Sequence, residues 1–390
     1  MFHGNHPVQL LFLIRSLNYG GAERQLVALA KGLWPRDQSL AIATFYSSGP
    51  LRKDLESAGV PVISLEKRSR WSTIRFFWRL IRLVRTSQPQ ILHGYLGTAN
   101  ILTVLLKPFC PETKIVWGVR ASNMDLSRYG WLDRLLYWIE CRLSRFADAI
   151  IVNSHAGLEY AVHHGFPRPK MVVIHNGIDV ERFRPDEEAR RWLREAWGVT
   201  GDLFLIGLVG RIDPMKGHET FLRAALDLST ERKNVRFVCI GDGSETYRKT
   251  LLVLGEQLGL THVVIWLPTS DRAESIYNAF DIATSASHGE GFSNVIAEAM
   301  ACGIPCVVTD VGDSKWIVGD TGFVVESSDP KALASAWRKM LDMGGTERGT
   351  QGQRARERVA KYFSLDRMID ETSRVLEGTA EGPHKGTESA

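Results

Sequence analysis

The chain has 390 residues, of which 44% are hydrophobic, 24% charged and 9% aromatic. At about 150 residues per domain this length predicts two or three domains, and the composition excludes a fibrous, collagenous or mostly disordered protein. The five cysteines lie scattered in mostly apolar runs, which argues against a disulfide framework. No apolar run reaches the roughly 18 residues needed to span a bilayer, and the N-terminus lacks the cationic flank of a signal peptide. We therefore expect a cytoplasmic protein.

Short apolar runs alternate with helical stretches along the first half of the chain. Strands are predicted at 8–14, 40–45, 60–65, 91–93, 114–119, 149–153 and 171–174. Such alternation is typical of parallel strands covered by helices on both faces, the doubly wound α/β class. In this class ligands bind beyond the carboxyl ends of the strands, so the loops that follow the strands are the candidate sites.

The pattern breaks between residues 175 and 186 and then starts again. Further strands are predicted at 203–209, 235–240, 263–266, 282–285, 305–309 and 322–325. We therefore predict two Rossmann-like doubly wound domains, 1–178 and 179–353, that face each other across a cleft able to hold a ligand. The segment 377–390 has almost nothing to bury and is predicted to be a disordered tail.

Three common ways of binding phosphate are missing from the sequence. There is no G-x-x-x-x-G-K-[ST] loop and no G-x-G-x-x-G turn, which argues against a nucleotide triphosphatase or a simple dinucleotide enzyme. There is also no D-x-D pair to hold a metal ion on a diphosphate. A diphosphate site in this chain would need other positive charge.

Two cations supply such charge in the loop after the predicted strand 203–209. Arg211 and Lys216 both lie in this loop, at the end of the strand where ligands collect. Together they can neutralise a diphosphate as it becomes a leaving group. The alternative is that both are ordinary solvated loop cations.

The segment 285–300, which follows another predicted strand, strengthens the first interpretation. Gly289 and Gly291 permit a tight turn, and Ser293 and Asn294 can cap the helix that follows. The free N–H groups of such a helix attract an anion. Carboxylates flank this point, with Glu290 before the helix and Glu298 within it, an arrangement that suits the hydroxyl groups of a nucleotide-sugar.

These residues resemble the signatures of the retaining glycosyltransferases of family 4. Glu290 and Glu298 match the E-x-x-x-x-x-x-x-E pattern, and Arg211 with Lys216 matches the R-x-x-x-x-K pair. The resemblance extends to the segments 20–24, 152–154, 176–179 and 240–243.

The resemblance implies the GT-B fold, with a final helix within 354–376 that crosses back to the first domain. It implies that Arg211 and Lys216 bind the donor diphosphate, Glu298 the ribose and Glu290 the transferred sugar. The other donor-contacting positions that it implies are Gly21, Gly241, Gly291, Phe292, Ser293, Asn294 and Val295. The family uses no metal and no other cofactor, and a plausible retaining mechanism is front-face attack, with the leaving diphosphate taking the proton of the acceptor.

Arg120 departs from the family pattern. It follows the predicted strand 114–119, where many members carry a histidine close to the anomeric centre. An arginine cannot act as a general base near neutral pH. It is predicted either to bind the donor phosphate or an anionic acceptor, or to form a structural ion pair. His93 is a further candidate cleft residue, with a structural role as its alternative.

The two halves of the chain differ in charge. Residues before Val180 hold 22 Lys and Arg against 12 Asp and Glu, a net charge of +10, and the remainder holds 26 against 32, a net charge of −6. Within the basic half, 70–85 predicts an amphipathic helix with arginines at helical spacing. Such a helix either contacts an anionic membrane surface or packs its apolar stripe in the core. A nucleic-acid partner is not expected, because no recognition module is visible.

The sequence thus predicts a cytoplasmic, membrane-peripheral retaining glycosyltransferase of polysaccharide biosynthesis. It would transfer a hexose from a nucleoside-diphosphate sugar, UDP- or GDP-linked, to a glycan or lipid-linked saccharide acceptor. A sugar-nucleotide epimerase or hydrolase on the same fold is one alternative. A non-catalytic nucleotide-sugar-binding subunit of a polysaccharide-assembly complex is another, and turnover with candidate acceptors distinguishes it from an enzyme.

Overall fold

A computed structural model of the chain describes residues 9–67, 73–120, 130–270 and 272–381. The chain divides into two compact units. The first unit contains the residues up to Gly177 together with the segment that begins at Leu365, and the second unit is Ile178–Ser364. The change of unit at Gly177 falls within the break that the sequence shows between residues 175 and 186.

The first unit is built around a seven-stranded parallel sheet with the strand order β3-β2-β1-β4-β5-β6-β7. Its strands are β1 Leu10–Ile14, β2 Leu40–Thr44, β3 Val62–Ser64, β4 Ile91–Tyr95, β5 Lys114–Val119, β6 Ala149–Val152 and β7 Met171–Val173. The central strands are almost wholly buried, because helices cover both faces of the sheet. This burial explains why the strands read as continuous apolar runs.

Helices of the first unit form one layer on each face of this sheet. They are α1 Gly21–Leu33, α2 Arg52–Ser57, α3 Thr73–Ser87, α4 Gly97–Leu106, α5 Trp131–Leu143, α6 His155–His163 and, from the end of the chain, α15 Leu365–Glu381. One apolar cluster joins α1, α2 and α15 to the sheet. The other joins α3, α4 and α6 to the sheet, with part of α5 packed against it.

The second unit is built around a six-stranded parallel sheet with the order β10-β9-β8-β11-β12-β13. Its strands are β8 Phe204–Val209, β9 Val235–Ile240, β10 Val264–Leu267, β11 Ile282–Ser285, β12 Cys306–Thr309 and β13 Gly322–Val325. Its helices are α7 Glu187–Ala196, α8 His218–Glu231, α9 Glu245–Gln257, α10 Ala273–Ile276, α11 Asn294–Ala301, α12 Ser314–Val318, α13 Pro330–Asp342 and α14 Gly345–Tyr362. The doubly wound α/β prediction is confirmed for both units.

Each sheet has a point where the order of its strands reverses. In the first unit this point lies between β1 and β4, and in the second between β8 and β11. Loops that leave neighbouring strands in opposite directions open a crevice there, and ligands of doubly wound proteins bind in it. The topology therefore marks one candidate site in each unit.

The final helix predicted within 354–376 has the wrong bounds, because the structure has two helices there; the last of them, α15, belongs to the first unit as predicted. Helix α14 ends at Tyr362 and packs against α11, whereas α15 starts at Leu365 and packs against α1. At the break Phe363 leaves the helical conformation, with φ −132° and ψ 18°. Its carbonyl accepts a 2.8 Å hydrogen bond from the backbone N–H of Ile178.

The predicted disorder from residue 377 is also wrong for its first five residues. Helix α15 continues to Glu381, and Ala380 packs against the apolar cluster that contains Leu376. This contact fixes the last helical turn. Residues 382–390 of the predicted tail lie outside the described residues.

The basic stretch predicted as an amphipathic helix is α3, and its first residues, 70–72, lie outside the described part of the chain. Most of its apolar side chains are buried in the core, among them Phe76, Leu80 and Val84, as the core interpretation predicts. Ile74 and Trp78, however, are 75% and 64% exposed. None of the described helices is both long and apolar enough to cross a bilayer.

Candidate active site

The loop after β8 carries both predicted cations of the second unit. Arg211 is 70% exposed and pairs with Asp213 at 3.2 Å. The other carboxylate oxygen of Asp213 accepts a 2.9 Å hydrogen bond from the backbone N–H of Met215, which starts a 3₁₀ turn over Pro214–Lys216. One aspartate thus shapes the loop and restrains the arginine, while most of the Arg211 side chain stays accessible to a ligand.

Lys216 and Glu290, which belong to two different sequence motifs, are in direct contact. The Lys216 Nζ lies 2.5 Å from Glu290 Oε1, and both side chains are mostly buried. The hydroxyl of Ser287 donates a 2.7 Å hydrogen bond to the same carboxylate oxygen. The structure therefore joins the predicted diphosphate cation to the predicted sugar-binding carboxylate at the strand-order reversal of the second sheet.

Backbone contacts lock these two loops together. The backbone N–H of His288 donates a 2.8 Å hydrogen bond to the Met215 carbonyl. Gly217 has φ +66°, and a Cβ atom there would lie 1.9 Å from the Ala286 carbonyl oxygen. Only glycine allows both this backbone conformation and this approach.

The N-terminus of α11 lies directly beyond Glu290. Ser293 occupies the N-cap position, but its hydroxyl makes no capping bond, so the predicted capping by Ser293 is wrong. This hydroxyl is buried and has no hydrogen-bond partner among the described residues. Asn294 is the first residue of the helix. The first N–H groups of a helix have no partner within the helix, so this end offers donors to an anion.

Glu298 lies one turn into α11 and is held by a residue that the sequence analysis missed. The hydroxyl of Tyr277 donates a 2.6 Å hydrogen bond to Glu298 Oε2. Tyr277 is itself buried, with its ring near Phe183 and Phe280. No motif marks this tyrosine, because it lies 21 residues before the glutamate.

The remaining predicted donor positions of this unit have different surroundings. The ring of Phe292 is buried 5.2 Å from that of Phe363, and Val295 packs against the same cluster, so these side chains contribute to the core. The backbone N–H of Asp313 donates to the Gly291 carbonyl at 3.0 Å. Gly241 is buried, and a Cβ atom there would lie 2.0 Å from the Gly210 carbonyl oxygen. Gly241 therefore packs directly against the loop that carries Arg211.

A cavity of about 580 Å³ lies at the strand-order reversal of the first unit. It is lined by the ends of β1, β2 and β4 and by α1, α4 and α5: Arg15, Ser16, Asn18, Glu23, Tyr46, Tyr95, Leu96, Gly97, Thr98, Ala99, Ile101, Asp133, Leu136, Tyr137 and Glu140. Carboxyl, phenol and amide groups predominate among its polar groups. Such groups bind the hydroxyls and apolar faces of a polyhydroxyl compound.

Buried polar groups of this cavity are incompletely paired. Glu140 is buried and accepts a 2.9 Å hydrogen bond from Asn100 Nδ2, and burial raises the pKa of its carboxyl group. Burial also raises the pKa of Glu23. The Tyr95 hydroxyl is buried without a hydrogen-bond partner in the described part of the chain. Buried polar atoms without partners are uncommon, which marks this cavity as a candidate binding site.

Arg120 lies beside this cavity, at the carboxyl end of β5. Its Nη1 donates a 3.1 Å hydrogen bond to Asn176 Oδ1, and its guanidinium lies 4.8 Å from the centre of the Tyr95 ring. Nε and Nη2 are buried with no partner among the residues described. His93 is fully buried, and burial together with the Arg120 charge lowers its pKa to about 3, so His93 is a neutral core residue. Gly21 starts α1 and is exposed.

Family comparisons cover most of both units. The family described as "Glycosyltransferase Family 4" matches residues 19–182. The family described as "Glycosyl transferases group 1" matches residues 204–343. The first range contains Arg120 and all but three of the residues that line the cavity, and the second contains Arg211, Lys216 and Glu290.

Curated relatives match part of the chain. The D-inositol 3-phosphate glycosyltransferases of Mycobacterium tuberculosis and Mycobacterium bovis are 32% identical over 232 residues, which are 57% of this chain and 47% of the relatives. The chain therefore spans about half the length of the curated relatives it matches.

Solved structures match nearly the whole chain. HepE from Anabaena, crystallised with UDP and glucose, has a TM-score of 0.84 at 22% identity, covering 94% of this chain and 99% of that one. A glycosyltransferase from Rickettsia africae has a TM-score of 0.80 at 18% identity, covering 97% and 100%. WaaG, involved in lipopolysaccharide biosynthesis, has a TM-score of 0.73 at 16% identity, covering 95% and 100%. These similarities confirm the predicted GT-B fold class of two Rossmann-like domains.

Proposed function

The chain belongs to the glycosyltransferases of family 4, and from this premise we propose that it transfers a hexose from a nucleoside-diphosphate sugar to a glycan or lipid-linked saccharide. The observation that carries this proposal is the Lys216–Glu290 contact at the strand-order reversal of the second unit. We assign Lys216 to the diphosphate and the neighbouring Glu290 to the sugar hydroxyls, and their contact supports this assignment. The complexes of HepE with UDP and with UDP-glucose support a donor of this class.

The donor diphosphate is assigned to the positive groups that surround this contact. Arg211 is exposed and Lys216 is held at the loop end. The N-terminus of α11 and the unpartnered Ser293 hydroxyl add hydrogen-bond donors. Together they stabilise the charge that develops as the sugar–phosphate bond breaks, an effect worth several kcal/mol in enzymes. Because these groups supply the positive charge, we propose a reaction that needs no metal ion.

The two carboxylates fix the two ends of the donor. Glu298, oriented by Tyr277, is assigned to the ribose hydroxyls, and Glu290 to the hydroxyls of the transferred sugar. Since Glu290 already accepts bonds from Lys216 and Ser287, it is oriented before the sugar arrives. Because Glu290 is already oriented, less freedom is lost when the sugar reaches the reactive geometry. This lowers the activation barrier of the transfer.

We assign the acceptor to the cavity of the first unit. Glu23, Asp133 and Glu140 line it, and carboxyl groups are good hydrogen-bond partners for sugar hydroxyls. In the proposed retaining reaction the acceptor oxygen bonds to the anomeric carbon on the face that the diphosphate leaves. The carbon–oxygen bond to the diphosphate breaks, and the acceptor proton passes to the departing phosphate oxygen. No nucleophile from the protein is required.

A thermal-shift panel tests the donor site first. Wild type, Glu298→Ala and the control Glu256→Ala, which changes an exposed glutamate of α9, are melted with UDP, GDP and their glucose conjugates in EDTA. Binding raises the melting temperature by mass action. We expect one base class to stabilise wild type and the control but not Glu298→Ala. No shift with any nucleotide would contradict the donor site.

Turnover then tests the transfer itself. Release of the nucleoside diphosphate should depend on an added saccharide acceptor, continue in EDTA, and give a product with the anomeric configuration of the donor by NMR. Loss of activity on chelation would overturn metal independence. Donor binding without turnover on any saccharide would favour a non-catalytic binding subunit.

A further inference from the structure

The outward side of α5 exposes large apolar side chains to solvent. Trp131, Leu135 and Trp138 are 76%, 42% and 55% exposed, and their spacing puts them on one side of the helix. Phe146, in the turn that follows, is 57% exposed. Apolar side chains clustered in this way mark an interaction surface.

A cationic cavity of about 690 Å³ lies beside this stripe. It is lined by Arg134, Tyr137, Trp138, Cys141, Arg142, Arg145, His163, His164 and Gly165. No acidic residue occurs in this described lining. The Arg142 guanidinium lies 5.1 Å from the centre of the Trp138 ring, and that of Arg145 lies 5.5 Å from the Phe146 ring. Each of these two arginines thus rests on an aromatic ring, and neither forms an ion pair with a described residue.

Helix α3, on the same face of the sheet in the first unit, also exposes apolar and cationic side chains. Ile74 and Trp78 are exposed, as are Arg75, Arg82 and Arg85. Both α3 and α5 pack against the same apolar cluster on one face of the sheet. Both helices therefore belong to the layer on that face of the sheet.

We propose that the outward side of α5, with its cationic cavity and together with α3, docks on an anionic lipid bilayer. Tryptophan prefers the boundary between headgroups and acyl chains, and arginine can lay its stem along apolar surface while its charge stays at the headgroups. The arginine-lined cavity fits a lipid phosphate, which accepts the paired N–H groups of a guanidinium. The absence of carboxylates from the described lining favours a negatively charged surface.

Vesicle co-sedimentation tests this surface on the full chain. Vesicles of phosphatidylcholine alone are compared with vesicles that contain about 30% phosphatidylglycerol, at low and high salt. We expect binding only to the anionic vesicles, weakened about tenfold by high salt. Arg142→Gln with Arg145→Gln should weaken it about tenfold, and Trp138→Ser should also weaken it. The control is Arg191→Gln with Trp192→Ser, an exposed arginine and tryptophan on α7.

Several outcomes would overturn the proposal. They are absence of binding to anionic vesicles, insensitivity to salt, and equal losses in the control and the α5 variants. Binding that is lost in Arg75→Gln with Arg82→Gln but unchanged in the α5 variants would assign docking to α3 alone and reject the cavity. A wild-type circular dichroism spectrum and melting temperature in every variant show that each is folded.

Brominated lipid gives a second readout that a partner protein would not mimic. Bromine quenches tryptophan emission only at close range, so anionic vesicles with brominated acyl chains should quench wild type more than Trp138→Ser. Equal quenching in the two proteins would contradict insertion at α5.

Discussion

The hydroxyl of Tyr277 donates a 2.6 Å hydrogen bond to the carboxylate of Glu298. The tyrosine is only 2% exposed, and its ring is fixed by neighbouring aromatic side chains. It therefore restricts the rotamers of Glu298, which lies on a mostly buried turn of α11. Preorganisation of this kind improves affinity because less freedom is lost on binding.

Tyr277→Phe should weaken nucleotide binding with little effect on the rate of transfer. A hydrogen bond to a charged group contributes about 1.5–3 kcal/mol, and only part of this serves orientation, so we expect a roughly five- to tenfold rise in the dissociation constant of the nucleotide. Isothermal titration calorimetry with the nucleotide identified by the thermal-shift panel measures it. Tyr247→Phe, elsewhere in the second unit, is the control. Unchanged affinity in Tyr277→Phe would show that Tyr277 does not orient the binding residue.

Lys216→Ala should abolish most of the transferase activity. The substitution removes a cation from the diphosphate and also leaves the largely buried Glu290 without its ion-pair partner. Loss of one preorganised charge from an active site costs about 3–4 kcal/mol, so kcat/KM should fall at least about a hundredfold. Lys249→Ala, on the exposed side of α9, should retain wild-type kinetics. A fall in kcat/KM of less than about tenfold in Lys216→Ala would show that Lys216 does not bind the diphosphate.

Local sequence pattern was sufficient to predict the strands that position the site. Predicted strands at 235–240, 282–285 and 322–325 coincide with β9, β11 and β13, because buried parallel strands are continuous apolar runs bounded by polar loops. The prediction of two Rossmann-like domains follows from the same alternation. The apolar pattern of a strand can be recognised from neighbouring residues alone, without knowledge of tertiary contacts.

Contacts between residues that are far apart in the sequence could not be predicted from these local patterns. Lys216 and Glu290 are 74 residues apart in the sequence, and nothing in either motif predicts that their side chains form an ion pair. At the helix break the Phe363 carbonyl is bonded to the backbone N–H of Ile178, which lies in another part of the chain. Ser293 stands at a typical capping position, but its hydroxyl makes no hydrogen bond to the helix N–H groups.

Gly217→Ala should destabilise the second unit and separate the two loops of the donor site. Its Cβ would lie 1.9 Å from the Ala286 carbonyl oxygen, in addition to the strain of φ +66°. Gly201 has a similar φ of +63° with no atom within 4 Å of its Cβ position, so Gly201→Ala measures the strain alone, about 1 kcal/mol. We expect Gly217→Ala to cost at least about 2 kcal/mol in urea unfolding and to lower nucleotide affinity. Equal losses of unfolding free energy in Gly217→Ala and Gly201→Ala would show that the close approach of Gly217 to Ala286 is not required for stability.

Stability should decrease as the pH falls below about 6.5, in part through His93. Burial and the Arg120 charge lower its pKa to about 3 in the folded chain, whereas the unfolded histidine titrates near 6.5. Between these values the unfolded state binds more protons, so the free energy of unfolding rises with pH. His218, with a pKa lowered to about 4 mainly by burial, adds in the same direction.

Urea unfolding between pH 5 and 7.5 measures this dependence. From pH 6.5 to 5 a single histidine of this kind accounts for about 1.5 kcal/mol. His93→Gln should flatten the profile by about that amount, whereas His262→Gln, at an exposed position, should leave the slope unchanged. An unaltered slope in His93→Gln would contradict the burial of a neutral imidazole.

Glu140→Gln should separate acceptor binding from donor binding. Glu140 lines the cavity of the first unit, and its carboxyl group is bonded to Asn100 Nδ2. Glutamine keeps the shape and the oxygen that accepts this bond, so the unit should remain folded. It replaces the other carboxyl oxygen with an amide donor, which disturbs the hydrogen bonds to a saccharide.

Steady-state kinetics with both substrates varied provide the measurement. A lost hydrogen bond to a carboxyl group costs about 1.5–3 kcal/mol, so the KM of the acceptor should rise roughly ten- to a hundredfold while the KM of the donor and its thermal shift stay unchanged. Glu159→Gln, which changes an exposed glutamate of α6, is the matched control. A rise in the KM of both substrates would indicate a general structural effect. An unchanged acceptor KM would place the acceptor outside this cavity, because the substitution alters one of its few buried polar groups.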